Sequence, residues 1–156
     1  MGLDERARRL LREGSGLSID LEGRFLHRGE PVTHRRTLEV LWRSLERQPD
    51  GRYLVRVGRE SAYVELEDAP YAVRGLLSGS EGWQLLLSDG SSEALRPETL
   101  TVDRAGALHC RVKGDHRARF SRSAQVTLGL ELEEAAASPG GFSLAHRGRR
   151  WPIGSE

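Results

Sequence analysis

Two short runs hold the residues with most capacity for chemistry. Glu60, Glu65, Glu67 and Asp68 place four carboxylates within nine residues. Neighbouring carboxylates push their pKa values apart, which is what a paired general acid and base require. The plainer reading is a solvated strand face followed by a turn-forming aspartate; alternation accounts for Glu65 and Glu67 but not for Glu60. The second run is His109-Cys110 with Asp115-His116, which a turn at Lys113-Gly114 would bring across a hairpin. Zinc accepts those ligand types. Their spacing is not a standard one, and a buried cysteine beside an exposed histidine is the simpler explanation, so no metal and no cofactor is expected.

The common catalytic motifs do not occur in the chain: no Gly-x-Ser-x-Gly elbow, no His-Glu-x-x-His and no Cys-x-x-Cys. Lys113 is the single lysine among 24 basic residues. Followed by Gly114-Asp115, it fits neither a P-loop nor a Schiff-base site well. No catalytic residue is therefore assigned, and a binding role is favoured over an enzyme.

The remaining basic residues are arginines, whose forked guanidinium suits phosphate and carboxylate, although arginine-rich composition also follows from a GC-rich genome. Net charge is only +1, so any electrostatic footprint must be local. Arg24 to Arg47 carries six arginines against three glutamates, and Arg104 to Arg122 six basic residues against Asp115. Aromatic residues make up 6%, too few for a base-stacking surface, which argues against nucleic acid as partner.

These side chains need elements to position them. At 156 residues, 37% of them hydrophobic, the chain is long enough to bury a core. Leu3 to Glu13 has apolar residues at helical spacing and stops at Gly14-Ser15-Gly16, which predicts a short, loosely docked helix. Leu17 to Leu21 and Arg24 to His27 read as strands. Leu38, Leu41, Trp42 and Leu45 follow i, i+3, i+4, i+7 and place a helix over Thr37 to Arg47, with Thr33 as N-cap. Tyr53 to Val57 and Ala62 to Glu67 form a hairpin, ended by Asp68-Ala69-Pro70 because proline donates no ladder bond. Trp83 to Leu87, Thr99 to Asp103, Leu108 to Val112 and Arg117 to Phe120 read as short strands of an antiparallel sheet or partly closed barrel. Ser121 to Ala137 is read as a helix, with a strand as the alternative because Val126, Leu128, Leu130 and Leu132 alternate. Phe142 to His146 and Arg149 to Ile153 close the series. The expected class is α+β: an N-terminal helical extension (1–16), an N-terminal α+β subdomain of strands plus a helix (17–71) and a C-terminal β-rich subdomain with one helix (72–156).

Within this frame the order of motifs from Gly23 to Tyr71, Gly23-x-Phe25-x-His27-x-Gly29-x-Pro31-Val32, then Asp50-Gly51-x-Tyr53-Leu54, Glu60 and Val64-x-Leu66-Glu67-Asp68-Ala69-Pro70-Tyr71, resembles the bacterial domain-of-unknown-function family 1285. Ala118-Arg119-Phe120-Ser121-Arg122 and Gly148-x-x-Trp151-x-Ile153-Gly154 are similar to its later signature. The resemblance implies a two-part α+β fold split near Tyr71 with a cleft between the parts, an unknown activity, and a small nucleotide-like ligand in a signalling context. Two departures stand out: Val57-Gly58-Arg59-Glu60-Ser61 replaces the family's usual Thr-Pro-Val-Glu-Lys, and His34 stands where an arginine is usual.

The reading that follows is a cytoplasmic binding or regulatory module for a small anionic ligand. Arg119, Arg122 and His27 are the expected donors, and Glu60, Glu67 and Asp68 orient the ligand. Two alternatives stand beside it. One is a hydrolase with Glu67 or Asp68 as base and His27 as acid; the other is an interaction module whose arginines engage an acidic protein. A lone Cys110 gives no disulfide, the first residues lack the apolar core of a signal peptide, and no stretch approaches a membrane span. The sequence leaves room for a homodimer through sheet edges.

Overall fold

A computed structural model describes residues 3–13 and 16–156. The protein is α+β and falls into two compact units, Met1–Asp68 and Ala69–Glu156. Among the described residues no helix is long and apolar enough to cross a membrane.

The first unit contains α1 (Leu3–Arg12), β1 (Leu17–Ile19), β2 (Phe25–His27), β3 (Glu30–Pro31), α2 (Arg35–Arg43), β4 (Leu45–Arg47), β5 (Tyr53–Val57) and β6 (Glu60–Leu66). Its strands form one sheet in the order β3-β2-β1-β6-β5-β4. β1 joins β6 in parallel while the other pairs are antiparallel. The helix α1 is not loosely docked: Ala7 and Leu11 are buried and α1 packs on α2, β5 and β6. Four residues apart, they lie on one helix face and share a core with Ile19, Phe25, Val40, Leu41, Val55 and Val64. The Phe25 and Trp42 rings meet edge to face, 4.5 Å between centroids.

Helix α2 departs from expectation at both ends. Its N-cap is His34 rather than Thr33, because the His34 ring nitrogen Nδ1 accepts the Thr37 N–H at 3.3 Å. Its end is Arg43 rather than Arg47: the Ser44 N–H closes the last turn on the Val40 and Leu41 carbonyls, and Leu45 to Arg47 pair with β5 instead.

The second unit contains β7 (Tyr71–Gly79), β8 (Gly82–Leu87), β9 (Ser92–Ala94), a 3-10 turn (Pro97–Thr99), β10 (Thr101–Val102), β11 (Leu108–Val112), β12 (His116–Phe120), α3 (Arg122–Gly129), β13 (Leu132–Glu134), β14 (Phe142–His146), β15 (Arg149–Pro152) and β16 (Gly154–Ser155). The main sheet runs β16-β10-β11-β12-β7-β8-β9, and β13-β14-β15 form a second. The nine-residue β7 is an element that hydropathy alone does not announce. Tyr71, Ala72 and Val73 are all buried, and a bulge between Val73 and Gly75 shifts the register against β8, so the two-residue alternation breaks mid-strand. Ser121 caps α3 by accepting the Ala124 N–H at 3.2 Å, and Ala124 and Leu128 are buried on the side that packs on β7 and β12. The helix expected over Ser121 to Ala137 ends at Gly129, a poor helix former, and Leu132 begins a strand. Leu130 is 81% exposed; its apolar character feeds the alternation in the sequence but not the core.

Candidate functional site

A groove of about 480 Å³ opens in the first unit. One wall is a face of α1: Arg6, Arg9 and Leu10, at i, i+3 and i+4, line it, while Ala7 and Leu11 on the adjoining face anchor the helix in the core. Neither arginine forms an ion pair with a described residue. The opposite wall comes from the β2–β3 hairpin and the start of α2. His27 ends β2 directly opposite Glu30, across a two-residue turn in which Arg28 and Gly29 both have positive φ, 53° and 84°. That is the turn whose twist matches paired strands. Pro31 and Val32 extend the wall as an apolar strip, and His34 and Thr37 complete it.

The polar groups of the groove are primed to donate. His34 Nδ1 accepts the Thr37 amide and lies 2.9 Å from the Thr37 hydroxyl, so in the neutral ring the hydrogen sits on Nε2. The Nε2 atom of His27 is buried and has no hydrogen-bond partner among the described residues. An unsatisfied buried polar atom costs about 1–3 kcal/mol. Helix α2 starts with Arg35-Arg36 and has no acidic residue in its first turn, although the positive end of the helix dipole favours anions there. Glu30 is the carboxylate that lines the groove, against two guanidinium groups.

Of the residues assigned from the sequence, His27 lines this groove. Glu60 opens β6 on the same face as Ala62 and Val64, where its Oε1 lies 3.5 Å from Arg12 Nε. Glu65 and Glu67 have the opposite parity and are exposed. Glu67 Oε2 accepts the Leu21 N–H at 3.2 Å, and Asp68, half-buried, follows it. The pleat of β6 thus divides the acidic cluster between two faces. Arg119 and Arg122 belong to the second unit: Arg119 is a half-buried residue of β12 paired with His109 of β11 and Ala72 of β7, and Arg122 is the exposed first residue of α3. Arg6, Arg9, His34 and Thr37 were not assigned from the sequence. The helical spacing of Arg6 and Arg9 was visible there, and so was the substitution at His34, but not their convergence.

The hairpin expected to gather His109, Cys110, Asp115 and His116 forms. His109 and Cys110 nevertheless alternate to opposite faces of β11, and no group of three or more metal-ligating side chains occurs among the described residues. Burial pushes the Cys110 thiol up to about 12, so it is not a reactive nucleophile at neutral pH.

The family model described as "Protein of unknown function (DUF2946)" matches residues 1–149. No curated protein matches the chain. Among solved structures, a DUF1285 family protein from Silicibacter pomeroyi DSS-3 is similar, with a TM-score of 0.70 and 17% identity over 97% of this chain and 94% of that one. A DUF1285 family protein from Shewanella baltica OS155 gives a TM-score of 0.60 and 13% identity, covering 76% of this chain and 93% of that one. At such identities the likeness is one of fold, and at that level it bears out the resemblance to family 1285 read from the motifs.

Proposed function

This chain belongs to the family of unknown function described as DUF2946, and from this premise we propose that it is a binding or regulatory module whose first unit holds a small anionic, phosphate-bearing ligand in the α1–β2–α2 groove. The observation that carries the reading is the convergence there of Arg6 and Arg9 with His27, whose buried Nε2 has no described partner.

Several physical features support it. A volume of about 480 Å³ lies within the roughly 300–1,000 Å³ of small-molecule sites. Arg6 and Arg9 supply charge-assisted, fork-shaped donors for phosphate oxygens. His27 and His34 supply directional donors, and Leu10, Pro31 and Val32 give a dry strip for a sugar or ring. Glu30 accepts from a ligand hydroxyl, which favours a sugar phosphate or nucleotide over bare phosphate.

Isothermal titration of the protein against pyrophosphate, sugar phosphates and nucleoside mono- to triphosphates tests the proposal. One of these is expected to bind stoichiometrically, and Arg9→Ala and His27→Ala each to weaken it by tenfold or more, an effect of about 1.4 kcal/mol. Silence across the panel, or binding untouched by both substitutions, sinks it.

A further inference from the structure

The second unit carries a different polar pocket, built around a carboxylate of the chain itself. On the main sheet, Thr101 of β10 pairs with His109 of β11, and Arg111 of β11 with Arg117 of β12. The short strand β16 adds in parallel to β10 and brings Glu156 to this region, its N–H bonded to the Val102 carbonyl at 3.0 Å. Arg117 grips the Glu156 carboxylate with both prongs: Nη2 donates to Oε1 at 2.5 Å and Nε to Oε2 at 3.2 Å. The Thr101 hydroxyl donates to Oε2 at 2.9 Å, and His109 Nδ1 lies 3.7 Å from the same oxygen.

Those contacts alone describe a strap that fastens β16 to the sheet. What they leave unexplained is the space beside them. Thr99, Thr101, His109, Arg111, Arg117 and Glu156, with Cys110, enclose a cavity of about 210 Å³. One water takes about 30 Å³, so the cavity has room for a molecule of several heavy atoms. Apart from Cys110, the residues that line it are all polar, and His109 is only 1% exposed. Such a chamber does not stay dry, and the fork-on-carboxylate geometry already present defines the chemistry its cation prefers.

We propose that this pocket is a binding site for a small carboxylate, and that the Glu156 side chain holds its guanidinium when ligand is absent. Exchange of one carboxylate for another leaves Arg117 paired both before and after. The self-occupied state reduces the fraction of molecules competent to bind and so raises the apparent Kd. The site shares no residue with the groove of the first unit, and its fate is independent of that reading.

The probe is malonate, followed by the NMR signals of the Thr101, Arg111 and Arg117 amides and the Arg117 Nε–H at constant ionic strength. In Glu156→Ala these signals are expected to move saturably, with an apparent affinity roughly tenfold tighter than in the unsubstituted protein. In Glu156→Ala combined with Arg117→Ala the Thr101 and Arg111 amide signals should not move. A folded Glu156→Ala protein whose signals stay still, or move equally with sodium chloride, overturns the proposal. Equal affinity with and without Glu156 overturns its role as occupant. Should Glu156→Ala fail to fold, Glu156→Gln keeps the shape and the Thr101 bond while removing the charge; it too must bind malonate more tightly than the unsubstituted protein, and equal or absent binding rejects the idea.

Discussion

The cations of the first unit's groove and those on the second unit's main sheet are treated in opposite ways. In the first, Arg6 and Arg9 line an open groove without an ion pair to any described residue. In the second, Arg117 is clasped by Glu156, and Lys113, the single lysine, lies 2.7 Å from Asp89. Burial by itself would raise the Asp89 carboxyl, but the Lys113 ammonium and two bonds from Ser91 outweigh it and hold Asp89 below the usual carboxylate range. The bonds from Arg117 lower Glu156 likewise. A matched charge contributes to stability; an unmatched one contributes little until something binds. The contrast therefore separates residues expected to matter for folding from residues expected to matter for ligand.

The largest expected effect is on the frame of the groove. Leu41, on the inner face of α2, is fully buried, and Leu41→Ala should cost about 2–5 kcal/mol in urea unfolding and loosen the helix that carries Thr37 and is capped by His34. A loss below 0.5 kcal/mol would contradict this core. In the second unit, Gly82 has φ +101°, and a Cβ there would run into the His146 ring, whose Nε2 accepts the Trp83 N–H at 3.3 Å. Gly82→Ala is expected to cost at least about 1–2 kcal/mol from backbone strain alone, with the β14 amides losing exchange protection.

Titration sharpens the comparison further. Asp89 and Glu156 have folded pKa values below their unfolded ones, so the stability they contribute is complete above about pH 4 and is lost as pH falls through the lower, folded values. Burial, then the nearby Arg147, depresses His146. Its neutral form is favoured on folding, so stability is full above the unfolded value near 6.5 and declines as pH drops from there to the folded pKa. Urea midpoints at pH 7.5, 5.5 and 3 check both signs, and a midpoint that rises toward acid would contradict them. The smallest effect on stability should come from the open cations: Arg9→Ala is expected to stay within about 0.5 kcal/mol while weakening ligand binding tenfold or more.

How much of this was legible in the sequence depends on how local the signal is. Tyr53 to Val57, Leu108 to Val112 and Phe142 to His146 are strands over the residues expected, because breakers flank apolar runs that stay in phase. The strand β7 escaped because its bulge at Arg74 shifts the phase. The Ser121 to Ala137 stretch carries helical and alternating patterns at once, and each holds over only part of it: the helix ends at Gly129 and a strand begins at Leu132. Among the residues that line the groove, His27 was named from the sequence, where it stands in the motif Gly23-x-Phe25-x-His27. Arg6 and Arg9 read as an ordinary solvated helix face, since nothing in their own segment says what stands opposite.

The sequence by itself determined where the chain turns and, over most segments, which period each follows, because these depend on neighbours a few residues away: a glycine that accepts positive φ, a proline that cannot donate, side chains repeating every two or every three to four residues. Only the tertiary structure decided partners. That β1 lies parallel to β6, that β12 lies parallel to β7, and that Glu156 reaches Arg117 across 39 positions all follow from long-range strand order. Many such orders bury similar apolar area, and local periodicity does not distinguish among them.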